Sequence, residues 1–143
     1  MEMEIKLLRQ SAVPSYKTDG AAGIDLAACI EESMSLSPME RKMVPTGVCV
    51  AIPKGNVGLV FARSGLATRY GITLTNCVGV IDSDYRGEIM CSLINLGGET
   101  YTINPGDRIA QLVIMPAPQV AIQVTDKLSE TERGEGGFGS TGR

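Results

Sequence analysis

Val48-Cys49-Val50-Ala51-Ile52 sets its larger side chains on alternate positions, the period of a strand with one buried face. Similar runs recur along the chain: Met3–Leu8, Val57–Ala62, Ile72–Thr75, Glu88–Ile94 and Arg108–Met115. Most are short and rich in Val, Ile and Thr, with glycines and prolines between them. Pro45, Pro53, Pro105 and Pro116 fall near the run edges, where a missing N–H least harms a ladder. One short helix is expected at Ser64–Tyr70, with Ser64 as its N-cap. Many strands without a long helical pattern predict an all-β, antiparallel sandwich or barrel.

Composition narrows the function. The 143 residues suffice for one domain with a real core. A net charge of −3 argues against a sequence-independent nucleic-acid binder, which needs a basic face. No apolar run approaches the ~20 residues of a membrane span, and the start Met1-Glu2-Met3-Glu4 lacks a secretory signature. With no His, a carboxylate is the obvious general base, and zinc loses a common ligand. Cys29, Cys49, Cys77 and Cys91 form no C-x₂-C pair and sit among apolar residues. They are expected as reduced core residues in an intracellular protein.

Composition shifts after Leu128. The tail Ser129–Arg143 holds five glycines and a single large apolar residue, Phe138. It has almost nothing to bury, so it is either a loose end or an arm that orders on something else. Gly134, Gly136 and Gly139 satisfy G-x-G-x-x-G, yet neither a dinucleotide fold nor a P-loop fits. No strand leads in, Ser140 stands where a P-loop needs lysine, and no helix can follow. What survives is anion chemistry: backbone N–H groups, the Ser140 and Thr141 hydroxyls, and the Arg133 guanidinium can converge on phosphate. Phe138 offers a flat lid for an aromatic base.

Four other stretches carry chemistry. In Gly79–Ile89 two apolar strands flank a turn bearing Asp82, Asp84 and Tyr85. That is an ordinary hairpin tip, or a general base beside a sugar platform. Arg63-Ser64-Gly65 at a helix start is either a plain cap or an anion site. Asp25, after Gly23, is a turn residue or a carboxylate held for a cation. Gly106-Asp107-Arg108 reads as a tight turn into a buried strand, where polar Gln111 wants a partner.

In this order and spacing, these five stretches resemble the five motifs of the homotrimeric dUTP pyrophosphatases. Ala22–Leu26 looks like the first motif, Arg63–Ala67 the second, Gly79–Ile89 the third, Gly106–Leu112 the fourth and Arg133–Gly142 the fifth. The resemblance implies a β jelly-roll or distorted barrel over residues 1–128, with a flexible arm, 129–143, closing over a site at a subunit interface. It implies Mg²⁺-dependent hydrolysis of dUTP to dUMP and pyrophosphate, limiting uracil in DNA and supplying dUMP for dTMP synthesis.

By motif, Asp82 would deprotonate the attacking water, and Tyr85 would lie beneath the deoxyribose. Asn76, Gly79, Ile81 and Met90 would read uracil. Arg63, Ser64, Gly65 and Gln111 would grip the phosphates, with Asp25 acting on the hydrated Mg²⁺ and Asp107 bracing Arg63. From the arm, Arg133, Gly139, Ser140 and Thr141 would clamp the terminal phosphate while Phe138 covers the base. The resemblance implies a homotrimer with neither nucleic-acid nor membrane partners. The nearest rival on the same fold is dCTP deamination, against which the complete third motif speaks. A rival of another class is a non-catalytic nucleotide sensor.

Overall fold

The computed structural model describes residues 1–137. These residues form ten strands and one helix: β1 Glu4–Leu7, β2 Ile24–Ala27, β3 Met34–Leu36, β4 Arg41–Ala51, β5 Asn56–Ala62, α1 Ser64–Tyr70, β6 Ile72–Leu74, β7 Val78–Ile81, β8 Glu88–Asn95, β9 Tyr101–Ile103 and β10 Arg108–Pro116. One four-stranded sheet runs β1-β4-β8-β6, a second β2-β10-β5-β7, and β3 pairs β9 in a ribbon. All named pairings are antiparallel. The sheets stay open and do not close into a barrel, so a jelly-roll sandwich is the better description.

Alternation explains the layers. Along β8, Ile89, Cys91, Leu93 and Asn95 turn inward while the residues between them are half-buried or exposed. One core joins both sheets and the ribbon, with Val44 and Leu93 from the first sheet, Val60 and Leu112 from the second, and Leu36 and Ile103 from the ribbon. Each such side chain contributes about 1.5–3 kcal/mol on full burial. Asn95 is fully buried, and its amide donates to the carbonyls of Leu36 (2.8 Å) and Glu99 (2.7 Å), tying the ribbon to the first sheet.

Three local expectations need correction. Pro45 lies inside β4, not at an edge: it opens a bulge where the pairing slips from Pro45↔Met90 to Cys49↔Glu88, a site that tolerates a missing N–H. The helix spans the expected residues, but Arg63 is its N-cap and Ser64 its first residue, without a side-chain capping bond. Its far end is closed by Gly71 in the left-handed region (φ 72°), the usual helix-ending role of glycine. Cys49 and Cys91 are buried and Cys29 is half-buried, but Cys77 is exposed on a turn with φ 61°. All four thiols are free.

Candidate active site

The second sheet presents one group of polar residues. Ile24, Leu26, Ala110 and Leu112 point into the core, so Asp25 and Gln111, paired directly across β2 and β10, share the opposite face. Asp25 is thus a mid-strand residue, not a turn residue. Its Oδ2 accepts from Arg108 Nη1 at 2.9 Å, and the pair is partly exposed. Gln111 Nε2 reaches toward the Ala62 carbonyl at 3.4 Å, and Gly23 is what leaves room for it. A Cβ on Gly23 would stand 2.6 Å from Gln111 Oε1.

Arg63 follows β5 directly, and its Nη1 donates to the Arg108 carbonyl at 2.9 Å. The expected brace from Asp107 is absent among the described residues. Asp107 Oδ2 instead accepts from Asn104 N at 2.8 Å, closing the turn before β10 in which Gly106 takes φ 81°. Burial raises the Tyr101 phenol above its ordinary pKa, and Asp107 adds to the rise while Arg63 opposes it. Ser64 and Gly65 are exposed at the start of α1, where no acidic side chain competes for the first-turn N–H groups. Arg63, Ser64, Gly65, Arg108, Gln111 and Asp25 therefore form one contiguous polar region.

A second group lies on the other side of this sheet. β7 is its edge strand, so one row of β7 backbone N–H and C=O groups has no strand partner among the described residues. Asn76 leads into it, and a Cβ on Gly79 would lie 3.7 Å from Asn76 Nδ2, so the amide rests against the bare glycine. After Ile81 comes the turn carrying Asp82 and Tyr85, both exposed. Tyr85 N donates to the Asp82 carbonyl at 3.1 Å, and Arg86 Nη1 donates to the carbonyls of Ser83 (2.7 Å) and Tyr85 (2.9 Å). The Tyr85 phenol donates to the Glu88 carbonyl at 2.9 Å. Its ring lies over Gly87, where a Cβ would overlap it. Met90 stands on the outer face of β8 at 40% exposure.

Asn76, just before the Val78↔Phe61 pair, lies at the Arg63 end of the sheet, but the Asp82–Tyr85 turn lies at the other end of β7, away from the Arg63 cluster of the same chain. Gly58 pairs with Ile81 at the far end of β7, and Arg63 lies five residues further along. At about 3.4 Å per residue this places Arg63 roughly 17 Å along the sheet from the turn that starts at Asp82.

A family model described as dUTPase matches residues 9–142. The chain belongs to the dUTPase family. A deoxyuridine 5′-triphosphate nucleotidohydrolase of Treponema denticola is 54% identical over 99% of this chain and 99% of its own length. That of Finegoldia magna is 45% identical over 98% and 99%. Among solved structures, the dUTPase of Staphylococcus bacteriophage 80alpha with dUpNHpp superposes with a TM-score of 0.88, at 30% identity and covering 99% of each chain. A mutant dUTPase of phage phi11, described with a structural Mg(II) ion, gives 0.81 at 26% identity, covering 89% of this chain and 98% of its own.

The remaining expected residues lie on the tail. Arg133 Nε donates to the Gly136 carbonyl at 2.8 Å, within the tail itself. Phe138, Gly139, Ser140 and Thr141 lie outside the described residues. Two features went unread in the sequence. Arg108 is the ion-pair partner of Asp25. Val120, Ile122 and Val124 alternate with the small Ala121 and the polar Gln123 beyond β10 yet are 79%, 90% and 93% exposed, a strand pattern with no surface to cover among the described residues. That alternation was the available signal. No helix among the described residues is long and apolar enough to cross a membrane.

Proposed function

We propose that this chain hydrolyses dUTP to dUMP and pyrophosphate with Mg²⁺, in a homotrimer whose active sites lie between subunits. The observation that carries the reading is the separation of a phosphate-type cluster around Arg63, Gln111 and Asp25 from a base-and-sugar turn around Asp82 and Tyr85. A second copy bringing its own turn against the first copy's cluster would complete the site. The bare apolar stripe Val120-Ile122-Val124 supports such an assembly, because three aliphatic side chains at this exposure need a covering surface. The reading places it inside the cell, limiting uracil in DNA and supplying dUMP.

The donor set suits Mg²⁺. No cluster of three or more acidic, His or Cys side chains exists among the described residues of one chain. Mg²⁺ commonly keeps several waters and takes one or two carboxylates plus substrate phosphates, which Asp25 beside a phosphate cluster would supply. When bound, the ion would neutralise charge on the triphosphate.

The residues then divide the work. The exposed backbone row of β7, with Asn76, Gly79, Ile81 and Met90, would meet the acceptor–donor–acceptor edge of uracil. A cytosine edge would leave those groups mismatched, at about 1–3 kcal/mol for each buried unpaired group. Tyr85, held flat over Gly87, would lie beneath the deoxyribose and leave no room for a 2′-hydroxyl. Asp82 would take a proton from water as the oxygen attacks the α-phosphorus, and the bond to the bridging oxygen would break to release pyrophosphate. A positioned base is worth about 10²–10⁴-fold. Arg63, Gln111 and the N–H groups at Ser64 and Gly65 would offset charge on the phosphates.

The arm, residues 129–143, would close the site, with Arg133, Gly139, Ser140 and Thr141 on the terminal phosphate and Phe138 over the base. The test is direct: each deoxynucleoside triphosphate is incubated with the protein and Mg²⁺ while pyrophosphate and ammonia are measured. The reading expects pyrophosphate from dUTP alone. Ammonia from dCTP, or no turnover of any nucleotide, would overturn it.

A further inference from the structure

The Tyr85 phenol has one hydrogen bond among the described residues, to the backbone carbonyl of Glu88. The turn's other bonds, Tyr85 to Asp82 and Arg86 to Ser83 and Tyr85, are internal to it. The pose of the ring over the sheet therefore depends on where the first residue of β8 sits. The side chain of that residue is unusually tied down for one opening a strand beside a turn. Glu88 Oε1 accepts from Gly47 N at 2.7 Å and also from Arg9 Nη2. The Glu88 side chain is only 18% exposed.

Gly47 is the hub of this contact. It is buried in the β4 bulge with φ 69°, and a Cβ there would lie 2.8 Å from Cys29 Sγ and 2.9 Å from the Leu8 carbonyl. Only glycine fits both the backbone and the space. Its carbonyl accepts from Leu8 N (2.7 Å) and Ser11 Oγ (2.9 Å), which locks the bulge to the N-terminal segment. Next to it, Thr46 Oγ1 donates to the Ile89 carbonyl at 2.7 Å. The bulge thus grips β8 at two successive residues, through Glu88's carboxylate and Ile89's carbonyl.

We propose that Glu88, clasped by Gly47 and Arg9, is a positioning residue that sets the sugar platform. By fixing its own carbonyl it fixes the Tyr85 ring, and so tunes rejection of a 2′-hydroxyl. This rests on the reading of Tyr85 as the surface beneath the deoxyribose. A clip that served only to hold the N-terminal segment would cost stability and leave sugar choice untouched, which gives the two roles different readouts.

The experiment compares kcat/KM for dUTP and UTP in wild type, Glu88→Ala, Glu88→Gln, Arg9→Ala and Tyr85→Phe, with thermal melts. Ile103→Val, a core variant in β9, serves as a stability control. Glu88→Ala should narrow the dUTP preference about tenfold or more, mostly through faster UTP turnover. Glu88→Gln keeps an acceptor for Gly47 N–H and should narrow it less, as should Arg9→Ala. Tyr85→Phe should narrow it too, and add little in the Glu88→Ala background. Ile103→Val should lower the melting temperature with the preference intact. If Glu88→Ala fails to fold, Glu88→Gln and Arg9→Ala decide the matter. Preference within about twofold of wild type in every folded Glu88 and Arg9 variant would overturn the clasp. A wild-type protein that turned over UTP as readily as dUTP would overturn the platform reading itself.

Discussion

Gly23→Ala is a one-methyl perturbation aimed at a single side chain. Gly23 does not occupy the left-handed region, so alanine is compatible with its backbone. The new Cβ would stand 2.6 Å from Gln111 Oε1 and 3.2 Å from both Cβ and Cδ of Gln111. The terminal amide can swing away, but relief at Cβ requires a new rotamer or a strand shift. If Gln111 binds a phosphate oxygen, the variant forfeits a hydrogen bond to a charged group, about 1.5–3 kcal/mol. At 1.4 kcal/mol per decade, that is roughly a ten- to hundredfold loss in kcat/KM.

The assay is steady-state pyrophosphate release from dUTP for wild type, Gly23→Ala, Gln111→Ala and the double variant. Because both single changes remove the same contact, the double variant should be little worse than either alone. Full activity in a folded Gly23→Ala protein, or additive losses in the double variant, would refute the coupling.

Asp82→Asn should keep dUTP affinity while kcat falls about 10²–10⁴-fold, since the amide cannot take a proton; ligand binding by calorimetry beside turnover checks both halves. Truncation after Leu128 should leave a folded body with kcat/KM lower by about a hundredfold or more, measured by pyrophosphate release and a thermal melt. Burial pushes the Cys91 thiol up to about 12, while Cys77 is exposed on its turn. Thiol titration near pH 8 should label Cys77 quickly and Cys91 only on unfolding. Stability held by the neutral Cys91 thiol is complete below the ordinary thiol value of 9.0 and falls as pH climbs toward about 12, because the unfolded state deprotonates first.

Much of the fold was legible because its strands are local patterns. The runs at Val57–Ala62 and Glu88–Ile94 reappear within one residue as β5 and β8, and Ser64–Tyr70 is the helix. Three-residue β3 and β9 carry too short a pattern to be read alone, whereas β7 was read as the first arm of the Gly79–Ile89 hairpin. Pro45 misled because its strand is excused by a bulge, and a bulge is a property of the pair β4–β8. Asp25 was left between a turn and a cation site because its role depends on register: its ion-pair partner lies 83 residues away. The glycines of the site followed the same division. Gly106 could be read from its turn, whereas Gly23, Gly79 and Gly87 matter through the side chains of Gln111, Asn76 and Tyr85 that lie against them. The Val120-Ile122-Val124 stripe has no covering surface among the described residues, and the proposed second copy, which no single chain's periodicity states, would supply one.

The claim that one site is assembled from two chains is tested most directly by subunit complementation. Asp82→Asn chains and Gln111→Ala chains, each about tenfold or more less active alone, are unfolded, mixed in equal amounts and refolded together. Random assembly should restore about a quarter of wild-type dUTP turnover, the share of interfaces that pair an intact Asp82 turn with an intact Gln111 cluster. Turnover no higher than the average of the two separate variants would place the whole site within one chain and contradict the account.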